Sequence, residues 1–175
     1  MNTLAKRATA EFVGTLLLVA AVVGSGIMGE RLSEGNIAIA LLANSLATGA
    51  ALVALILTFG PISGAQLNPA VTFADALQRG IAWHDVPAYI LAQCIGGICG
   101  AGVAHLMFGL PLYALSTHAR HGGAQVFSEF IASFGLVAVI WGCSRARLSA
   151  VPFAVAVAGV GRRGPHEAPP LRFVG

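Results

Sequence analysis

The chain has 175 residues, of which 57% are hydrophobic and 10% are charged, and its mean hydropathy is +0.81. Soluble domains carry about 25% charged residues, so this composition excludes an ordinary soluble domain and indicates an integral membrane protein in the lipid bilayer. The net charge is +3, but the basic residues are scattered over short loops, which argues against nucleic acid as a partner.

The first apolar run, residues 10–28, predicts a spanning helix after a short polar start. A secretory signal peptide is the alternative, but the run is long for one and no small-residue cleavage site is followed by a polar mature domain. Glu11 stands at the head of this helix and has two interpretations. It complements the helix dipole, or it faces the protein interior and binds a backbone group.

A second spanning helix is predicted over residues 36–59, after a polar connection at 29–35. It carries small residues at spacings that allow a neighbouring helix to approach closely. These are Ala43, Ser45, Ala47, Gly49 and Ala50.

The stretch GPISGAQLNPAVTFADAL, residues 60–77, is too short and too interrupted to cross a bilayer, which takes about 20 apolar residues. Asn68 is a favoured helix N-cap and Pro69 suits a first helical position, so a short helix is predicted from Pro69 to Leu77. The two glycines and the proline before Asn68 permit a re-entrant, non-helical backbone. Such backbone is tolerated at membrane depth only inside protein or beside a water-filled cavity, so the stretch indicates a pore element.

A short connection at 78–85 precedes a third predicted span over residues 86–108. Its glycines are interpreted as packing positions rather than hinges. They are Gly96, Gly97, Gly100 and Gly102. The cysteines also lie in apolar runs, and they are interpreted as small buried core residues with no disulfide framework and no metal site. They are Cys94, Cys99 and Cys143.

A connecting loop at 110–124 is followed by a fourth predicted span at 125–143 and a basic turn at 144–148. The loop carries three neighbouring polar residues, which are interpreted as solvated rather than metal-binding. They are His118, Arg120 and His121. No cofactor is predicted.

The basic residues predict the orientation, because cytoplasmic loops carry an excess of Lys and Arg. With these spans, one side of the membrane holds five basic residues and the other holds two. The five are Lys6, Arg7, Arg79, Arg145 and Arg147, and the two are Arg31 and Arg120. The amino terminus is therefore predicted to be cytoplasmic, and the half-helix enters from the cytoplasmic face.

Two helix heads resemble each other, AEFVGTLLLVA and SEFIASFGLVA, and their glutamates, Glu11 and Glu129, are 118 positions apart. Residues 1–109 are therefore interpreted as a first repeat and residues 125–160 as a partial second one. Three spans separate the two heads, so the repeats are inverted, a design that places a site at the membrane midplane.

The repeat is not completed within this sequence. A second Asn-Pro-Ala is expected 118 positions after Asn68, beyond Gly175, and the apolar run at 151–160 is short for a span. Residues 161–175, GRRGPHEAPPLRFVG, read as an atypical polar tail. A shifted reading frame after about Ala158 is favoured over a dedicated tail because the break falls within a helix.

The segment SGAQLNPAVT from Ser63 to Thr72, the preceding TFGPISGA and the paired Glu-Phe helix heads resemble the major intrinsic protein family, the aquaporins and aquaglyceroporins. The resemblance covers roughly residues 8–158. It implies an all-α membrane protein, an inverted-repeat helical bundle whose first half is complete here and whose second half is incomplete. It also implies a homotetramer in the cell membrane and passive permeation of water or small neutral solutes.

By this resemblance Asn68, Pro69 and Ala70 form a pore signature, and Glu11 and Glu129 match buried acids that hold irregular loops. The second signature and the arginine that the family places after it have no counterpart in this sequence. The resemblance therefore implies that the chain by itself is not a competent selective channel.

The resemblance also offers a selectivity-filter candidate, Thr48, which lies 20 positions before Asn68 where the family often has an aromatic residue. A small polar side chain there implies a wider opening than a strict water pore. Glycerol-like or metalloid hydroxide solutes would fit such an opening.

Three alternatives remain open. A secondary transporter also uses broken helices and inverted repeats, but it would need ionisable groups in mid-span. Besides the two helix-head glutamates, the spans offer only His105. An intramembrane enzyme would need a nucleophile and a base, for which only Cys94 and His105 are available, so no enzyme is predicted. A partial protomer that assembles with full-length partners is the third.

Overall fold

A computed structural model of the chain describes residues 3–112 and 122–145. In this part of the chain all regular structure is helical, which confirms the predicted all-α membrane fold. The five helices are α1 (Leu4–Leu32), α2 (Ile37–Ser63), α3 (Pro69–Leu77), α4 (Val86–Met107) and α5 (Gly123–Arg145).

Three of these helices, α1, α2 and α4, are long and apolar enough to cross a membrane. The first is longer than predicted at both ends, because the Thr3 side chain accepts a hydrogen bond from the Lys6 amide and caps the helix early. At its other end α1 continues through Leu32, so the predicted connection from 29 shrinks to a tight turn before Asn36, which caps α2.

The end of α2 is the main correction to the predicted secondary structure. The sequence predicts non-helical backbone from Gly60, yet α2 continues through Pro61 to Ser63. Pro61 lacks the amide that would donate to the Leu57 carbonyl oxygen, but its fixed φ is compatible with a helix, and α2 continues for two more residues. The helix ends at Gly64, whose φ of +94° is left-handed.

Helix α1 packs against both α2 and α4. Glycines of α4 make the second contact possible. A Cβ added to Gly96 would lie 2.5 Å from the Phe12 carbonyl oxygen, and one added to Gly100 would lie 2.4 Å from that of Leu16. The packing interpretation of these two glycines is confirmed. The predicted set of small residues on α2 is only partly buried, since Ala43 and Ala50 are exposed.

Helices α1 and α4 run parallel, because each end of one contacts the same end of the other. Arg7 in the first turns of α1 pairs with Asp85 just before α4. At the opposite end, Arg31 donates a hydrogen bond to the Phe108 carbonyl oxygen at 3.1 Å and lies over its ring.

Other sequence expectations are either wrong or lie outside the described residues. Cys94 is exposed on α4 and Cys99 is half-buried, so the interpretation of the cysteines as buried core is wrong for Cys94. The other predicted features lie outside the described residues. These are His118, Arg120 and His121, the side chain of Cys143, and the segments 146–160 and 161–175.

Candidate functional site

The short helix α3 begins at the Asn-Pro-Ala tripeptide. Asn68 Oδ1 accepts a hydrogen bond from the Ala70 amide at 2.8 Å, and Pro69 is the first helical residue, so the predicted cap and both predicted ends of this helix are confirmed. The Asn68 side chain is half-buried. Within residues 3–112 and 122–145, no hydrogen bond occupies its Nδ2 amide nitrogen.

The residues between α2 and Asn68, here called the Asn68 loop (64–68), hold an unusual backbone. Gly64, Ala65 and Leu67 all have left-handed φ values, of +94°, +47° and +49°. For a residue with a side chain this conformation costs of the order of 1–3 kcal/mol and persists only where its surroundings enforce it. Ala65 and Leu67 therefore require strong external contacts.

The Ala65 amide donates to the Ser63 hydroxyl oxygen at 3.1 Å, and Glu11 provides the contact at Leu67. Its carboxylate is fully buried and accepts four hydrogen bonds. Two come from the backbone amides of Gln66, at 3.1 Å, and Leu67, at 2.7 Å. The other two come from the Ser63 hydroxyl, at 2.6 Å, and the Gln93 side-chain amide, at 2.8 Å. Of the two interpretations of Glu11, the structure therefore has the one in which the side chain faces the protein interior and binds backbone groups.

Gln93 connects the carboxylate to α3. Its Nε2 atom donates to Glu11 and also, at 2.8 Å, to the Thr72 hydroxyl. The Thr72 hydroxyl in turn lies 3.2 Å from the Asn68 carbonyl oxygen, to which it donates. Gln93 and Thr72 are 2% and 0% exposed, so the first turn of α3 is fixed from α4 without contact with water.

Sequence reasoning missed Ser63, Thr72, Tyr89 and Gln93 as parts of this site. A signal existed for Gln93, because an amide inside an otherwise apolar spanning run is expensive unless it is hydrogen-bonded. Tyr89 is fully buried and its hydroxyl donates to the Ser63 carbonyl oxygen at 2.9 Å. Nothing local in the sequence indicates that contact.

Of the two remaining predicted site residues, Thr48 lies apart from Asn68. Thr48 is buried in α2, and its hydroxyl oxygen lies 3.5 Å from Asn44 Oδ1. At 1.5 Å of rise per residue, Thr48 is about 22 Å along α2 from Ser63, so it belongs to a different level of the molecule. Glu129 lies on α5, and its side chain is outside the described residues.

The arrangement presents hydrogen-bond donors rather than reactive groups. Asn68 Nδ2, which has no partner in the part of the chain that the structure describes, lies at the amino-terminal end of α3, where helix dipoles place partial positive charge. Such a group suits a neutral oxygen and disfavours a cation. The part of the chain that the structure describes contains no cluster of three or more potential metal ligands.

Comparison with known proteins gives one family throughout. The family model described as Major intrinsic protein matches residues 1–161. An aquaglyceroporin of Rhizobium meliloti (strain 1021), AqpS, is 50% identical over 152 residues, which cover 87% of this chain and 65% of that protein. The probable aquaporin PIP2-8 of Oryza sativa subsp. japonica is 36% identical over 86% of this chain and 57% of its own length.

A mammalian relative, aquaporin-4 of Mus musculus, is 34% identical over 87% of this chain and 49% of its own length. The chain thus spans about half to two thirds of the length of the relatives that it matches. The match includes the Asn68 loop, α3 and every helix that fixes them. The chain belongs to the major intrinsic protein family.

Proposed function

We propose that this chain supplies the first half of a channel of the aquaporin type, for passive permeation of water or small neutral solutes. The observation that carries the proposal is the Nδ2 donor of Asn68, which has no hydrogen-bond partner among the described residues and is held at the start of α3 by a loop that a buried carboxylate fixes. Members of this family are channels rather than enzymes. The thiol enzyme considered above is therefore set aside.

Asn68 is proposed to act on the solute directly. Its Nδ2 donates a hydrogen bond to the oxygen of a passing water or hydroxyl and so replaces part of the hydration shell. Its Oδ1 cannot turn toward the solute, because it accepts from the Ala70 amide. A fixed donor and a positive helix end together favour neutral oxygen and repel protons and cations.

Glu11 argues against the secondary-transporter alternative. A coupling carboxylate must bind and release an ion during each cycle. Both oxygens of Glu11 are instead occupied by two hydrogen-bond donors each. Releasing them would free the two left-handed residues of the loop, so this acid is suited to a structural role.

The solute is proposed to be larger than water alone. Thr48 offers a small polar side chain at the filter position implied by the resemblance. A relative that is 50% identical to this chain is named an aquaglyceroporin, which also supports a solute larger than water. Glycerol-like and metalloid hydroxide solutes are the proposed classes.

The chain by itself is expected to conduct poorly, because it has one Asn-Pro-Ala and an aquaporin-type pore places two facing half-helices at its centre. Proteoliposomes that contain only this chain should swell at about the rate of empty vesicles in stopped-flow measurements. Addition of the carboxyl-terminal half of the Rhizobium relative should raise glycerol permeability. In that mixture Asn68→Asp, which keeps the capping oxygen and removes the Nδ2 donor, should lower it again.

A matched control is Asn36→Asp, since Asn36 caps α2 in the same way, by accepting from the Ile39 amide, at the far end from the Asn68 loop. It should leave permeability unchanged. Clear solute flux through the chain alone would contradict the proposed impairment. No flux in the mixture, or flux that Asn68→Asp does not alter, would contradict the pore role of Asn68.

We also propose a cytoplasmic amino terminus in the cell membrane and assembly of the complete channel as a homotetramer. Lys6 and Arg7 at the start of α1, together with Arg79 after α3, support the orientation. A protease site placed before Met1 should be cut in inside-out vesicles and protected in right-side-out ones. Chemical crosslinking of the mixture in membranes should give a ladder that ends at four copies. A ladder that ends at two, or the opposite cleavage pattern, would overturn the corresponding proposal.

A further inference from the structure

An ion pair joins the starts of α1 and α4. The Arg7 guanidinium donates to the Asp85 carboxylate, and the Asp85 side chain is 8% exposed whereas that of Arg7 is 27% exposed. The other carboxylate oxygen lies 3.4 Å from His84 Nε2, whose side chain is 82% exposed. The pair therefore lies at the edge of the bundle, with its negative member turned inward.

Tyr89 connects this pair to the interior. The Arg7 guanidinium lies over the Tyr89 ring, 5.6 Å from its centroid, which is within the range of a cation–π contact. The hydroxyl at the far end of the ring donates to the Ser63 carbonyl oxygen at 2.9 Å. The side chain is thus held at its face by a charge and at its tip by the last residue of α2.

From Ser63 the contacts continue to the Asn68 loop. The Ser63 hydroxyl donates to Glu11 and also accepts from the Ala65 amide at 3.1 Å. Glu11 accepts from the Leu67 amide, directly before Asn68. The surface ion pair is therefore linked to Leu67 by an ion pair, a cation–π contact and hydrogen bonds, and the peptide chain joins Leu67 to the capping asparagine.

We propose that the Arg7–Asp85 pair, acting through Tyr89, is a positioning element for Asn68. The pair fixes the Tyr89 ring, the ring fixes the Ser63 carbonyl, and Ser63 sets where Glu11 and the Asn68 loop meet. The consequence for solute passage rests on the proposed function, but the positioning itself does not.

Within residues 3–112 and 122–145, the Asp85 carboxylate contacts only Arg7 and the exposed His84 ring, and it does not cap a helix. Asp85 precedes α4 in the N-cap position, yet its side chain makes no capping hydrogen bond. Its backbone amide bonds to the Ala82 carbonyl oxygen, a contact that any residue could make. Asp85→Asn therefore removes the ion pair while leaving helix α4 capped as before and the volume of the side chain unchanged.

The test measures the Asn68 loop without any flux. In the isotope-labelled full chain in lipid nanodiscs, Asp85→Asn should raise hydrogen exchange of the Gln66 and Leu67 amides about fivefold, the effect of losing one hydrogen bond's net stabilisation. It should also move the Leu67 amide proton resonance upfield, because its bond to the Glu11 carboxylate lengthens. Tyr89→Phe, which keeps the ring and removes only the hydroxyl, should give the same two changes.

The control is Thr58→Val, which removes a hydroxyl from α2 that bonds only to the Ala54 carbonyl oxygen. It should leave the hydrogen-exchange rates of the Gln66 and Leu67 amides within twofold of those in the unmodified chain. The double variant Asp85→Asn/Tyr89→Phe should exceed neither single variant, since both changes interrupt one path. Unchanged exchange in Tyr89→Phe, additive effects in the double variant, or a rise spread evenly over all helices would overturn the proposal. A chain that conducts no solute would still give the expected exchange result, so the two proposals fail separately.

Discussion

Replacement of Glu11 by glutamine is expected to lower the free energy of unfolding by about 3 kcal/mol, although the two side chains have nearly the same shape. The carboxylate accepts four hydrogen bonds, two on each oxygen. A glutamine offers one oxygen and one NH₂ group. Whichever way the amide turns, two buried donors then face another donor, and an unmet buried donor costs about 1–3 kcal/mol.

The measurement is equilibrium unfolding of the chain in detergent micelles. Glu30→Gln is the control, because Glu30 lies on the same helix with an exposed side chain. It removes the same charge and should change stability by less than about 0.5 kcal/mol. If Glu11→Gln proved as stable as Glu30→Gln, a neutral side chain would hold the Asn68 loop equally well, and the loop would not depend on a carboxylate.

The half-helix could be predicted from sequence because its signals are local. Asn68 and Pro69 are neighbours, and the cap that they form involves an amide only two residues beyond Asn68. The approximate positions of α1, α2 and α4 were likewise predictable, since a spanning helix needs only a long apolar run. The resemblance added the role of Glu11, which residue patterns alone left between two interpretations.

The left-handed conformation of the Asn68 loop could not be predicted, because the groups that determine it are distant in sequence. The groups that donate to Glu11 are 52 to 82 residues away along the chain. Left-handed backbone at Ala65 and Leu67 contradicts their intrinsic preferences, and it is held by the buried carboxylate at Leu67 and by the Ser63 hydroxyl at Ala65. The same applies to the end of α2: the glycine and proline at 60 and 61 favour a break, and contacts at Ser63 extend the helix past them.

Gly96→Ala is expected to destabilise the chain by about 2 kcal/mol, while Gly97→Ala, one position along the same helix, is expected to stabilise it slightly. At Gly96 the new methyl group would lie 2.5 Å from the Phe12 carbonyl oxygen, and backbone cannot move aside as a flexible side chain can. The overpacking penalty of about 3 kcal/mol therefore exceeds the gain of about 1 kcal/mol that alanine brings to a helix.

At Gly97 the nearest atom would be a Val19 methyl carbon at 3.8 Å, an ordinary contact, so only the helix gain remains. Equilibrium unfolding in detergent micelles tests this prediction: the free energy of unfolding should be lower for Gly96→Ala than for Gly97→Ala. A methyl group at Gly96 would also push α4 away from α1 next to the site. Gln93 lies one turn earlier on α4 and donates to Glu11, which is the neighbour of Phe12 on α1. Gly96→Ala should thus weaken the Gln93–Glu11 bond without altering either residue. Equal stabilities for the two variants would mean that α1 and α4 are not in backbone contact, and the close approach that places Gln93 against Glu11 would be wrong.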